Sequence, residues 1–199
     1  MPVSTTAQNY MLGQETANKA LYASLHTAYS ATGTNELSGG SYARQATAWG
    51  APTGGVISLS NSPAFSVPAA NTVRYIGLWD ASSSGNFHGM FPNSAGNNAY
   101  AFAVGTATST FLAPGSAYAS SAPVVLFASP GSTLPSPFAA GTTYYVASPT
   151  TDTFELASSL GGGAVTVTAD GSGIVQYIAP EAFIGSGSFT VSTGSLTMT

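Results

Sequence analysis

Apolar and polar positions alternate with a period of two through most of the chain, in short runs cut by clusters of Gly, Pro, Ser, Asn and Asp. That is the pattern of half-buried β-strands separated by turns. One early segment departs from it. Thr6 to Ala20 places Tyr10, Met11, Ala17 and Leu21 near one face of a helix, with Ser4, Thr5 or Thr6 as cap and Glu15–Lys19 as a favourable i,i+4 pair. Strands are then expected at Leu21 to Ala28, Tyr42 to Trp49, Val56 to Leu59 and Ala64 to Val67. Thr72 to Asp80 alternates most cleanly, with apolar residues on both faces, and reads as a central strand. Asn86 to Phe91 returns as its hairpin partner after a turn at Ala81 to Gly85.

A compositional break follows. Asn93 to Asn98 is polar and loop-like, and Thr106 to Ser121 is rich in Ala, Ser and Thr. Beyond it, strands are expected at Val124 to Phe127, Thr143 to Val146, Thr153 to Leu156, Val165 to Thr168 and Ile174 to Ile178. Turns at Pro130-Gly131-Ser132, Ser148 to Asp152, Gly161-Gly162-Gly163 and Asp170 to Gly173 separate them, as in a small barrel or sandwich. The tail from Phe183 to Met198 alternates again, and Gly185 to Ser188 and Thr193-Gly194 read as hairpin turns. The fold class is therefore mainly β. We expect a β-sandwich or jelly-roll-like domain with one short N-terminal helix, plus a small inserted β-barrel or sandwich module. The domain expectation is residues 1–105 with 179–199 as one discontinuous β-domain, and 106–178 as the insertion, since a loop tolerates insertion cheaply.

Asn35 to Ala46 is where charge enters this pattern. Glu36 and Arg44 flank the pair Gly39-Gly40, which marks a tight turn, and Tyr42 shares a face with Arg44. Glu36, Gly39, Gly40, Tyr42 and Arg44 are expected to form a structural clasp, costly to break from one side. A catalytic acid with an electrophilic arginine would need a third partner that the local sequence does not supply.

Composition sharpens the picture. The hydrophobic share of 44% is ample for a core, but charged residues make up only 5% of the chain, against about 25% in ordinary domains. A surface covered by Ser, Thr, Asn and Gly is poorly protected against association, which points to burial in an assembly. Three Lys and Arg residues and a net charge of −4 leave no basic patch for nucleic acid. No apolar run is long enough for a membrane-spanning helix, and Met1 to Thr6 lacks the features of a signal peptide. Without cysteine there is no disulfide, thiolate metal site or cysteine nucleophile.

The residues that carry chemistry elsewhere are sparse. His26 and His88 are not in a metal-ligand spacing, and His26 beside Leu25 reads as a satisfied strand histidine. Asp80, Asp152, Glu155, Asp170 and Glu181 are the carboxylates from which a glycosidase pair would have to come, but Asp152 and Asp170 sit in turns where Asp is favoured for its own backbone bonding. No catalytic residue, metal site or cofactor is expected. Aromatic residues crowd the inserted region, and Tyr118, Phe138, Tyr144 and Tyr145 are candidates for a contact surface, although core packing accounts for them as well.

Leu25-His26-Thr27, Asn35 through Arg44, Thr72-Val73 and Gly77-Leu78-Trp79-Asp80-Ala81 together resemble a family of tailed-phage structural proteins, labelled minor tail or tail fibre proteins and frequent in actinobacterial phages. The resemblance spans residues 7–92 and 182–199, where Gly187 to Val191 and Gly194 to Met198 resemble a closing strand pair. The segment with Leu134 to Phe138, Gly141 to Val146, Thr153 to Leu156 and Asp170 to Gly173 resembles a small β-module of phage tail proteins. The resemblance implies a non-enzymatic virion component, in the tail rather than the head, made in the host cytoplasm. It also implies partnership with other virion proteins and with copies of itself, expected as a homotrimer, with no nucleic acid and no membrane insertion. A capsid decoration protein and a carbohydrate-binding module for a host surface glycan are the alternatives.

Overall fold

The computed structural model describes residues 4–17, 20–94 and 99–197. The chain opens with α1 (Thr5–Ala17), then β1 (Tyr22–His26), β2 (Gln45–Ala46), β3 (Val56–Ser58), β4 (Ala64–Val67), β5 (Asn71–Val73), β6 (Tyr75–Trp79) and β7 (Phe87–Pro92). Six strands follow: β8 (Ala99–Val104), β9 (Phe111–Leu112), β10 (Pro123–Phe127), β11 (Tyr144–Ala147), β12 (Thr153–Ala157) and β13 (Gly171–Tyr177). The last are β14 (Glu181–Phe183), β15 (Gly187–Thr190) and β16 (Ser195–Thr197). These elements fall into two compact units, Met1–Phe91 with Glu181–Thr199, and Pro92–Pro180.

In the first unit α1 is capped by Ser4, whose Oγ accepts from the Ala7 N–H at 3.3 Å. Leu12 is the buried residue of its middle turns, while Tyr10 and Met11 are exposed, so the stripe expected from the sequence is not the packed one. Lys19, and with it the expected Glu15–Lys19 pair, lies outside the described residues.

β1, β2, β6 and β7 form one sheet in the order β2-β1-β6-β7, with Leu25 opposite Ile76 and Ser24 opposite Gly77. β6 is central and all five of its residues are buried, which explains its two apolar faces. The long strand expected over Thr72 to Asp80 divides at Arg74. Its N–H donates to the His26 carbonyl at 2.9 Å, and β5 before it pairs with β14 instead of β1. The strand expected over Tyr42 to Trp49 reduces to β2 because its peptide groups go to different partners. The Tyr42 N–H bonds Gly39, the Thr47 N–H bonds Leu21, and the Ala48 N–H bonds the Asn61 side chain.

The tail strands do not pair with one another, contrary to the closing hairpin expected from the sequence. β14, β15 and β16 instead pair with β5, β4 and β3 in turn. Glu181 opposes Val73, Gly187 opposes Val67, and the same register runs on to Val191, whose N–H reaches the Pro63 carbonyl. One extra residue between Leu59 and Pro63 then shifts the ladder before Ser195 meets Ser58. This antiparallel ribbon supplies Phe65, Val67, Val73, Phe189 and Val191 to the core, against Ala23, Leu25 and Ile76 of the sheet. The result is a sandwich-like packing of ribbon on sheet.

The second unit is a closed six-stranded antiparallel barrel in the order β10-β11-β12-β9-β8-β13. Its core sets an aromatic cluster among valines and leucines, with Phe111 and Phe154 stacked at 5.4 Å and Phe138 edge-on to both Phe111 and Tyr144. β8 falls within the 1–105 segment expected in the first domain, yet it pairs with β13 along its whole length. Val165 to Thr168, expected as a strand, is held instead by single contacts such as the Val165 N–H to Leu156 bond. Asp170 to Gly173, expected as a turn, carries the start of β13; a Cβ at Gly171 would collide with the backbone of Pro135, so glycine serves close approach there. Entry and exit of the unit are tied together, because Asn93 and Ala179 exchange two hydrogen bonds of 2.6 Å.

Candidate functional site

The densest polar constellation in the first unit forms around the turn at Gly39 and Gly40, whose φ angles of 94° and 57° are open to glycine and strained for other residues. The turn brings Arg44 back to Glu36. Nε donates to Oε1 at 2.9 Å and Nη2 to Oε2 at 2.7 Å, a two-pronged pair with side chains only 10% and 20% exposed. Nη1 donates to the carbonyls of Ser84 at 2.7 Å and Ala81 at 3.2 Å. The guanidinium carbon lies 3.6 Å from the centre of the Trp79 ring. Every nitrogen of Arg44 is thus engaged, and one face is covered.

Tyr42 completes the constellation. Its hydroxyl donates to Glu36 Oε1 at 3.2 Å and accepts from the Leu25 N–H at 2.8 Å, while its ring stacks on Phe65. Burial, assisted by the Glu36 carboxylate, pushes the Tyr42 phenol well above its usual range, so it stays a neutral donor. All five residues of the expected clasp therefore meet around one turn. What the arrangement does chemically is join segments 36–44 and 81–84 through charge-assisted hydrogen bonds and hold them to β6 by the guanidinium lying over Trp79.

Next to it lies a buried relay that the sequence did not reveal. The Trp79 Nε1–H donates to Ser24 Oγ at 2.9 Å, and Ser24 Oγ is 2.7 Å from His26 Nε2. His26 Nδ1 is 2.9 Å from the Thr34 carbonyl, which only accepts. These partners fix the neutral tautomer with the proton on Nδ1 and the Ser24 hydroxyl donating to Nε2. Desolvation lowers the His26 pKa below its ordinary 6.5, outweighing the opposing pull of Thr34 and Glu36. Gly77 makes the relay possible, since a Cβ there would come within 2.6 Å of both Ser24 Oγ and His26 Nε2. A serine hydroxyl on a histidine resembles a nucleophile and base, but Ser24 and His26 are both 0% exposed and no substrate reaches them. The sequence signal for the relay was a period-two pairing of Ser24 with His26; Trp79, 55 positions away, had none.

In the barrel, Phe138 and Tyr144 are buried members of the core, and Tyr118 packs against it, edge-on to Tyr100 and Phe154. The Tyr144 hydroxyl accepts from the Ala139 N–H at 3.0 Å. Tyr145 alternates with Tyr144 and is only half-buried. The four do not form one exposed platform. Three of the five candidate carboxylates hold backbone amides: Asp80 accepts from the Asn86 N–H at 2.6 Å, Asp152 from Gly115 at 2.7 Å, and Asp170 from Thr106 at 2.7 Å. Among the described residues no group of three or more His, Cys, Asp or Glu side chains gathers to hold a metal. No helix among them is long and apolar enough to cross a membrane.

A family model described as podophage GP4 fiber I protein gp80 matches residues 3–109, more than half of the chain. It covers the clasp, the relay and β1 through β8, and it ends before β9. Comparison with curated proteins finds no match.

Proposed function

The chain belongs to the podophage GP4 fiber I protein gp80 family, a phage tail-fibre family of structural components, and we propose that its first unit attaches it to the virion while the barrel is a separately folding insertion available to the host surface. The observation that supports this division is the pairing of Asn93 with Ala179, which closes the second unit at its two ends and leaves the flanking strands to complete the first. The clasp then has a mechanical role. It stiffens the attachment unit with bonds that do not depend on solvent, in a protein whose surface has few charges to spare. The function is non-enzymatic, a reading supported by the full enclosure of Ser24 and His26 and by the backbone amides that Asp80, Asp152 and Asp170 hold.

The assembled form is a homotrimer, for which the charge-poor surface is the supporting feature. A host glycan remains the proposed contact of the barrel, resting on Tyr145 and the exposed part of Tyr118. Particles made without the chain should assemble heads normally and lack a tail appendage in electron micrographs. Purified particles should carry it in few copies. A copy number matching the capsid lattice would instead establish the decoration alternative.

A further inference from the structure

The outer edge of the C-terminal ribbon is a β-edge without protection. The Val191 N–H points into the ladder toward Pro63, and Phe189 and Gly187 share its direction by alternation. The N–H groups of Ser188 and Thr190 therefore point away, where no third strand pairs among the described residues. Soluble proteins blunt such edges with Lys, Pro or inward charges. Residues 181–197 contain no Lys, Arg or Pro, and Glu181 is their sole charge. Ile184, in the link between β14 and β15, is 95% exposed.

Resting on the trimeric reading above, we propose that this edge is a docking surface for a strand of a second copy of the chain. An uncharged edge suits an equally uncharged partner, because no like charges meet and no basic or acidic protein is drawn to it. Three-fold closure excludes pairing the edge with itself, since an antiparallel contact of identical strands is two-fold. The acceptor is a different open edge. β7 fits: it ends the four-stranded sheet, spans six residues, and its outer side is unpaired among the described residues. The contact is strand addition, with backbone bonds supplying affinity.

The full chain is tested by light scattering across a dilution series. Wild type is expected at three times the chain mass. Thr190→Pro and Ser188→Pro, which remove outward donors and leave the ladder to β4 intact, should fall to the single-chain mass with an unchanged β spectrum. Should either fail to fold, Thr190→Lys keeps every backbone bond and should give the same dissociation. Hydrogen exchange on the wild type adds a reading without substitution: the Ser188 and Thr190 amides should be protected at high concentration and exposed on dilution. The chain has no cysteine, so Thr190→Cys combined with His88→Cys or Met90→Cys should yield a crosslinked trimer on oxidation. A trimer that survives Thr190→Lys, with those amides exchanging freely, overturns the edge and leaves the fibre reading standing. A wild-type monomer sinks the oligomeric premise, a dimer assigns the edge to two-fold pairing, and the absence of both crosslinks removes β7 as acceptor.

Discussion

Glu181 pairs with Val73 across the whole of the second unit, whereas every ladder of the barrel joins residues between Ala99 and Tyr177. The two units are also filled differently. The barrel packs phenylalanines and tyrosines against each other, while the first unit interleaves a smaller apolar core with a guanidinium clasp and a buried Ser-His-Trp relay. One closes on itself through contacts made within a continuous segment. The other waits for the last residues of the chain, and loop-closure entropy makes such long-range pairing slow. The separation is easy to follow, because both tryptophans, Trp49 and Trp79, and both histidines lie in the first unit.

Ending the chain after Pro180 is the harshest way to separate them. It removes β14, β15 and β16 and leaves β3, β4 and β5 without their partners. Tryptophan fluorescence should show an unfolded first unit, while amide exchange should still find β10 and β13 protected. Equal loss of protection in both would mean that the barrel depends on the unit that carries it.

Phe154→Ala attacks the other side. Phe154 is 1% exposed and stacked on Phe111, and emptying that site should cost the barrel about 3–5 kcal/mol. Denaturant unfolding should show the loss in the amides of the barrel strands, with the tryptophan transition unmoved. A matched shift in both transitions would make the two units one cooperative body.

The same contrast explains what the sequence disclosed. The mainly β class, the clasp from Glu36 to Arg44 and most barrel strands follow from alternation and turn residues close together in the chain. Alternation specifies that Phe189 and Val191 share a face, but not which strand lies beside them. Gly194 between two alternating runs suggested a local hairpin, and the ribbon with residues 56–73 carried no local mark. β9 is two residues in a stretch rich in Ala, Ser and Thr, too short for any period to register. Arg44 could be matched with Glu36 across one turn, whereas its carbonyl partner Ser84 lies 40 positions away. Core packing and a contact surface were both open for the barrel aromatics, and alternation alone could not choose: Phe138 and Tyr144 are buried in the core, while Tyr145, the next residue, is half-buried.

Arg44→Ala tests whether the clasp is structural. It leaves the half-buried Glu36 with only the Tyr42 hydroxyl and frees the 81–84 turn, at a cost of about 2–3 kcal/mol given the partial exposure of the pair. The tryptophan transition should move and the barrel should not. Arg44→Lys should recover only part, because an ammonium cannot fork onto both carboxylate oxygens and the Ser84 carbonyl. Full recovery by Lys would reduce the clasp to simple charge.

The smallest effect separates the units by pH. His26 is held neutral in the fold with its pKa lowered chiefly by desolvation; Thr34 and Glu36 pull it up and Arg44 adds to the lowering. Below about pH 6.5 the unfolded chain binds a proton that the folded one refuses, so stability is full above that value and falls as pH drops toward the folded pKa. The slope is at most about 1.4 kcal/mol per pH unit. Protonation would also turn Nε2 into a donor toward Ser24, whose hydroxyl proton would lose its acceptor while Trp79 still donates to the oxygen. Between pH 7 and 5 the tryptophan transition should therefore weaken, and the barrel, which has no histidine, should lack that slope. His26→Gln should flatten the slope while lowering stability at pH 7. A slope that persists in His26→Gln would move its origin to the carboxylates and take the relay out of the pH response.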